Sequence, residues 1–330
     1  MTRYFLGIDV GATKSHALIA DEAGQAVGFG EAGPGNYEVV GWQGLRLTLR
    51  AVVQGALVSA DIVKSQIAGI GCGIGGYDWP SERQPTLQAV QALGIKSQLA
   101  VANDAMISLV AGAPEGWGVV VIAGTSNNCR GRDRQGREGR VTGCGPLFGE
   151  YGGATELVAR AIQAVALAWT RRGPATGLTE ACLELTGAPC VAELLEGLAL
   201  ERYQISGSAA PLIFEVAHEG DAVAQEIIRW SGRELASLGI GVIRQLGFEQ
   251  TEFDLVLAGS LYKGGPLLIE PMIERIRAAA PGARFVHLAA PPVTGAVLLS
   301  MEQAGLQGPA VREPLLASTK ELLARREPEP

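Results

Sequence analysis

Gly7-Ile8-Asp9-Val10-Gly11-Ala12-Thr13-Lys14-Ser15 decides how this chain is read. The apolar run Tyr4-Phe5-Leu6 leads into Ile8-Asp9-Val10. A glycine turn follows, and His16-Ala17-Leu18-Ile19-Ala20 alternates behind it. That pattern predicts two strands joined by a hairpin. Gly11 permits a backbone that a β-carbon would forbid. The backbone N–H groups of Gly11, Ala12, Thr13 and Lys14 can point at an anion, and the Thr13 and Lys14 side chains add donors. Asp9, at the end of the first strand, stands where a carboxylate can hold a cation through water. A phosphate cradle beside a strand-end aspartate points to nucleotide phosphates with magnesium. An ordinary hairpin, with Asp9 bonded to its own turn, uses the same residue types.

The pattern recurs. Trp117-Gly118-Val119-Val120-Val121-Ile122-Ala123 is a second apolar strand that runs into Gly124-Thr125-Ser126-Asn127-Asn128, another turn of small residues. Strand-like pieces at Cys129–Asp133 and Arg137–Thr142 follow. Strand, phosphate-type turn, strand, turn, strand thus occupies 4–32 and again 117–142. The period is far longer than that of a solenoid. Two such turns facing each other across a cleft would hold the two ends of one triphosphate.

On these residues the chain resembles the actin, heat-shock chaperone and sugar-kinase superfamily. Within it, the chain is similar to the N-acetylglucosamine kinase and benzoyl-CoA-reductase-type ATPase family. The resemblance covers nearly the whole sequence. Its carriers are Gly7–Ser15, Gly35-Asn36, Asn103-Asp104-Ala105, Gly124–Cys129, Gly143-Cys-Gly-Pro-Leu-Phe-Gly149 and Leu257-Ala-Gly-Ser-Leu261. It implies an α/β fold of two duplicated ribonuclease-H-like (actin-like ATPase) domains around a nucleotide cleft. The first would be residues 1–113, completed by a C-terminal helix at about 293–326. The second, larger one would be 114–292 with a helical insertion. ATP and Mg2+ are the implied cofactors, and a homodimer the expected assembly. The implied activity is ATP-dependent phosphorylation of a hydroxyl on an amino sugar or related hexose, of the N-acetylglucosamine, glucosamine or N-acetylmuramate type. The competing reading is an ATPase that activates a partner enzyme, as in the benzoyl-CoA reductase and 2-hydroxyacyl-CoA dehydratase systems. Those dehydratase activators hold an iron–sulfur cluster with cysteines, and their cysteine pattern is missing here. A nucleotide- or sugar-sensing protein is a third reading, weakened because no helix-turn-helix precedes the first strand.

Composition narrows the classes. The 330 residues are 47% apolar, enough for two cores. A net charge of −7 and a pI near 5.2 argue against nucleic acid and against an anionic lipid surface. No apolar run reaches the roughly 20 residues that span a bilayer. The N-terminus enters a strand at once instead of a signal segment, so a cytoplasmic protein is expected. Five cysteines with no CxxC pair and three scattered histidines argue against a disulfide framework or a zinc site.

Beyond the hairpins, apolar spacing predicts helices at 41–60, 81–93, 105–111 and about 265–280, with strands at 67–74, 97–102, 253–258 and 284–288. A nearly all-helical stretch at 152–246 contains a long helix opening at Gly220-Asp221. Further helices are expected at 293–304 and 312–326, and the last six residues read as a solvated tail. Alternation of strand and helix after the antiparallel start predicts a largely parallel sheet. Gly112-Ala113-Pro114-Glu115-Gly116 is the expected domain boundary.

Asp104 stands where a strand becomes a helix, at the carboxyl end where open α/β sheets bind ligands. Phosphoryl transfer to an alcohol needs a carboxylate that accepts the hydroxyl proton and aims the oxygen. The resemblance gives Asp104 that role; a helix cap is the plain alternative. Asn36 lies in a Gly-Pro-Gly loop before a helix, where it can cap that helix or, by resemblance, bond sugar hydroxyls. Asn127 and Asn128 can shape the second turn or meet sugar and phosphate. Gly124, Thr125 and Ser126 would bind phosphate, and Gly259-Ser260, after a strand, resembles the adenosine-binding turn. Gly143, Cys144, Gly145 and Glu150 are expected to line the sugar pocket. Here the sequence departs from the family: Cys144 stands for a tryptophan, and Glu150-Tyr151-Gly152-Gly153 for Asp-Glu-Gly-Ser. Glu150 keeps the charge but reaches further. Loss of the tryptophan removes an apolar wall of about 150–250 Å². An altered acceptor preference is expected, including a free amino sugar paired with Glu150. Cys129 and Cys144 read as small buried filler. The two halves are expected to close on sugar and nucleotide.

Overall fold

The computed structural model describes residues 2–326. The chain opens with β1 (Tyr4–Val10), β2 (Ser15–Asp21) and β3 (Ala26–Ala32), then α1 (Tyr37–Ala60), β4 (Ile67–Ile74), α2 (Arg83–Gln91), β5 (Gln98–Asn103) and α3 (Asp104–Gly112). It continues with β6 (Gly118–Ala123), β7 (Asn127–Arg132), β8 (Glu138–Arg140), α4 (Ala154–Trp169), α5 (Leu178–Thr186), α6 (Val191–Ala199), α7 (Ala210–His218) and α8 (Ala222–Leu246). It closes with β9 (Phe253–Ala258), α9 (Pro266–Ala279), β10 (Ala283–His287), α10 (Pro292–Gln303) and α11 (Pro309–Ala324).

The duplication read from the turns is present in the topology. One five-stranded sheet has the order β3-β2-β1-β4-β5; the other has the order β10-β9-β6-β7-β8. Numbered within its own half, the second is the first read backwards. In each, the first three strands are antiparallel and the last two join in parallel. The fold is α/β, two mixed sheets in two domains.

Register explains where the chemistry collects. In the first sheet Val10, Ile74 and Asn103 lie side by side at the carboxyl ends of β1, β4 and β5. In the second, Ile122 pairs with Ala258, so β6 and β9 also end together. All these strands are parallel neighbours, so the turns that leave them share one edge of each sheet.

Between the sheets run α3 and α10. Gly7 owes its identity to this packing: a side chain there would lie within 2.7 Å of the Val293 carbonyl of α10. Met106 and Leu109 of α3 join Val120, Val256 and Ala258 of the second sheet in one apolar cluster. Phe5, Leu18 and Phe29 of the first sheet pack with Val297, Met301, Val311 and Leu315 of α10 and α11. The C-terminal helices therefore lie on the first sheet.

Two of the boundaries that differ from expectation bear on the site. The helix expected from residue 41 starts at Tyr37, capped by Asn36, and bends at Gly41, whose φ is 69°. Strand β7 starts at Asn127, so the second turn is shorter than the five residues read from the sequence. Among the described residues no helix is long and apolar enough to cross a membrane. Residues 327–330 of the expected tail lie outside the described part.

Candidate active site

At the first turn the Gly11 N–H donates to the Lys14 carbonyl at 3.1 Å. The Gly11 carbonyl in turn accepts from Gly35 N (3.0 Å) and Asn36 N (3.2 Å), which ties the turn to the loop before α1. Ala12, Thr13 and Lys14 stand exposed around it. At the second turn Gly124 N donates to the Ser126 carbonyl at 2.9 Å, and Thr125 and Ser126 are exposed. The α4 N-terminus is fastened beneath it: Ala154 N donates to the Gly124 carbonyl (2.9 Å) and Thr155 N to the Thr125 carbonyl (3.0 Å). Gly259 adopts φ 113° and has its Cα against the Ala123 backbone, where a β-carbon would clash. The structure thus sets Gly259 and Ser260 beside the second turn.

Asp9 and Asp104 extend from β1 and from the first residue of α3. Each is partly exposed at the strand ends yet hemmed in by the fold. Burial, then the charge of Asp104, pushes the Asp9 carboxyl up to about 7, against the opposing pull of Lys14. Burial, then Asp78, pushes Asp104 up to about 6, against a hydrogen bond from Ala105 N and the charge of Arg130. Gly75, just past β4, sits between these elements: a β-carbon there would be 3.0 Å from the Val10 carbonyl and 3.3 Å from Asp104 Oδ2. Among the described residues no group of three or more His, Cys, Asp and Glu forms a metal cage. A strand-end carboxylate beside an exposed glycine turn suits an ion such as Mg2+ that keeps its waters and takes its other ligands from phosphate.

Asn36 caps α1. Its Oδ1 accepts from Glu38 N at 2.9 Å, and its Nδ2 donates to Glu38 Oε2 at 3.1 Å. Gly76 leaves no room beside Asn36 Oδ1, where a β-carbon would come to 2.6 Å.

Asn127 and Asn128 part company. Being in a strand, they point to opposite faces. Asn128 Nδ2 donates to Asn103 Oδ1 at 3.4 Å, toward Asp104. Asn127 Nδ2 donates to Glu156 Oε2 at 3.2 Å, on the α4 side, and its Oδ1 is buried without a partner.

Cys144 corrects the sequence reading, and Glu150 has partners the sequence did not show. Glu150 is 5% exposed. Its Oε1 accepts from Thr142 N (2.6 Å), and its Oε2 accepts from Cys144 N (3.1 Å) and Gly145 N (3.3 Å). The longer carboxylate folds back on its own loop, where three backbone N–H groups donate to it. Gly143 and Gly145 hold the loop with φ near 78° and 70°. Cys144 is exposed, so it is not buried filler; Cys129 is fully buried, as expected. Burial alone is the main force that raises the Cys129 thiol.

Sequence reasoning missed Asp78 and Arg130. They form a buried ion pair, Arg130 Nη2 to Asp78 Oδ1 at 2.6 Å, next to Asp104. The available signals were the glycine pair ahead of Asp78, and the even register Arg130 shares with Asn128 on β7. A separate cavity of about 450 Å³, lined by Val110, Pro114, Arg132, Leu298, Glu302 and Arg312, holds none of the expected site residues.

Residues 6–300 match the model of a single protein family. The chain belongs to the BadF/BadG/BcrA/BcrD ATPase family. Among the relatives of this ATPase-family member is the N-acetyl-D-glucosamine kinase of Dictyostelium discoideum, 28% identical over 90% of the chain and 97% of that protein. Another is the N-acetylmuramic acid/N-acetylglucosamine kinase of Clostridium acetobutylicum, 23% identical over 91% and 99%. In fold, it is similar to a Chromobacterium violaceum protein assigned provisionally as an N-acetylglucosamine kinase. That match has a TM-score of 0.69 at 20% identity over 90% of this chain and 98% of the other.

Proposed function

We propose that this family member is an ATP-dependent sugar kinase that phosphorylates a hydroxyl of an amino sugar or related hexose. The observation that carries the reading is the pair Asp9 and Asp104. Both are carboxylates at the carboxyl edge of the first sheet, Asp9 on β1 and Asp104 just past β5 with β4 between them, both have raised proton affinity, and the exposed first glycine turn follows Asp9. The family and the activities named for the two relatives support the same chemistry.

In this reading Asp104 is the general base. With its carboxyl raised to about 6, it is ionised at neutral pH yet basic enough to take a proton. It accepts the proton of the acceptor hydroxyl while that oxygen bonds to the γ-phosphorus and ADP leaves. Asn36 and Asn128 hold sugar hydroxyls. The first turn, through Gly11, Ala12, Thr13 and Lys14, and the second, through Gly124, Thr125 and Ser126, hold the phosphates, with Asn127 buttressing the second. Gly259 and Ser260 let the adenosine approach the backbone closely. Asp9 would hold Mg2+ through water, and that ion supplies charge neutralisation at the β- and γ-phosphates. Closure of the two domains would exclude water from the transfer.

An acceptor screen tests this. ADP release from ATP and Mg2+ is measured with glucose, glucosamine, N-acetylglucosamine and N-acetylmuramate in turn. Acceptor-dependent release with at least one amino sugar is expected. Release that no sugar stimulates would overturn the kinase reading.

A further inference from the structure

Asp78 lies in the loop after β4, and Arg130 lies on β7 of the other sheet. Their side chains are only 8% and 6% exposed. Arg130 Nη2 also donates to the Tyr77 carbonyl at 3.4 Å. Asn103, the residue before Asp104, donates through Nδ2 to that same carbonyl (3.2 Å) and to Asp78 Oδ1 (3.3 Å). Asn103 Oδ1 accepts from Ala105 N at 2.9 Å, which caps α3, and from Asn128 Nδ2 at 3.4 Å. Arg140 of β8 donates to the Asp78 carbonyl. Gly143 lies so close that a β-carbon would be 2.6 Å from Asp78 Oδ1. The ion pair is therefore gripped from both sheets, and the helix turn that carries Asp104 hangs from it.

We propose that the Asp78–Arg130 pair is a positioning device for Asp104, fixing the start of α3 across the two sheets and acting on the Asp104 carboxylate with opposite sign from its two ends. The proposal rests on the reading of Asp104 as the base. A buried ion pair is a poor source of stability, because desolvation offsets much of its attraction. Its location gives it another use. Buried charges act on one another through low dielectric, so both ends are felt nearby. Asp78 strengthens the hold of Asp104 on its proton and Arg130 weakens it, Asp78 having the larger effect. The charged groups that face Asp104 are Asp9 from β1, Asp78 from the loop after β4 and Arg130 from β7, with Lys14 acting on Asp9. Arg130 Nε is buried without a partner, so the guanidinium is held by one edge only.

The test is the pH dependence of kcat/KM with Mg-ATP and the best acceptor of the screen. It compares the wild-type chain with Asp78→Asn, Arg130→Gln, Arg130→Lys and the double variant Asp78→Asn/Arg130→Gln. The acid limb of kcat/KM reports the base in the free enzyme. Asp78→Asn is expected to move that limb down by about half a unit or more, and Arg130→Gln to move it up. Arg130→Lys keeps the charge and leaves the limb in place, while kcat falls roughly tenfold through lost geometry. Where a single variant does not fold, the double variant decides: it leaves no unpaired buried charge, and its limb moves down. An Asp78→Asn or Arg130→Gln variant that loses activity with an unmoved limb, or charge-removing single variants whose limbs move the same way, would make the pair merely structural. Near-normal turnover in Asp104→Asn would remove the base reading itself, and the proposal with it, independently of the limbs.

Discussion

Asp104 and Glu150 are both carboxylates that the sequence put in one pocket, and the fold uses them oppositely. Glu150 is saturated: three backbone N–H groups from Thr142, Cys144 and Gly145 occupy its two oxygens. Asp104 has an N–H of its own helix turn for company, and burial, then the charge of Asp78, raises its proton affinity. A carboxylate satisfied by amides shapes a loop. One pressed against another carboxylate is left with unspent basicity. The two residues differ most plainly in their hydrogen-bond partners: three backbone N–H groups on Glu150, one on Asp104.

The largest expected effect breaks the comparison at Asp104. Asp104→Asn should keep the fold and nucleotide binding but lose sugar phosphorylation by ~10²-fold or more. Steady-state turnover and a binding titration with Mg-ATP, run on the same preparation, check both halves of that statement.

Glu150→Ala should do the reverse. Three N–H groups lose a buried charged acceptor, and stability should fall by about 2–3 kcal/mol. Urea unfolding measures it. Acceptor preference among glucosamine, N-acetylglucosamine and N-acetylmuramate should change little, since the carboxylate faces its own loop.

Asp9 sharpens the comparison through pH. Its folded carboxyl, raised to about 7 from 3.8, holds a proton that the unfolded chain gives up earlier. The ligand-free fold therefore loses stability as pH rises between those values. Asp9→Asn removes that loss. It should stabilise the ligand-free protein at pH 8 by on the order of 1–3 kcal/mol and leave it unchanged near pH 4. The same variant should bind Mg-ATP more weakly. Melting curves at the two pH values and calorimetric titration would show both.

The smallest effects separate the two asparagines. Asn128→Ala should lower kcat by about 3- to 10-fold, because it loosens the cap that holds Asp104. Asn127→Ala should cost about 1 kcal/mol of stability through the lost bond to Glu156, and weaken ATP more than sugar. Equal effects on the sugar KM from both would erase the distinction between the two faces of β7.

Much of this arrangement was legible in the chain. Continuous apolar runs gave Ile67–Ile74 and Phe253–Ala258 residue for residue, because buried parallel strands need apolar side chains on both faces. The repeated strand–turn–strand pattern gave the duplicated topology. Asp9 and Asp104 were visible because strand ends are marked by the shift from apolar to small and polar residues. The faces of Asn127 and Asn128 were not, since a turn two residues shorter than read changes which residues belong to the strand. The backbone contacts of Glu150 were not legible, because the loop geometry depends on positive φ at Gly143 and Gly145, which composition alone does not fix. Asp78 and Arg130 were missed because their meeting depends on how two sheets face each other, 52 residues apart in sequence.

The most direct test sets the two carboxylates side by side. Phosphate transfer from ATP to the best amino-sugar acceptor is measured for wild type, Asp104→Asn and Glu150→Gln, each with its thermal melt. The account predicts that Asp104→Asn melts no lower than wild type and loses ~10²-fold or more in kcat, while Glu150→Gln melts lower and keeps kcat within about threefold. A Glu150→Gln enzyme that melts normally but loses turnover, beside an Asp104→Asn enzyme that retains it, would contradict the account.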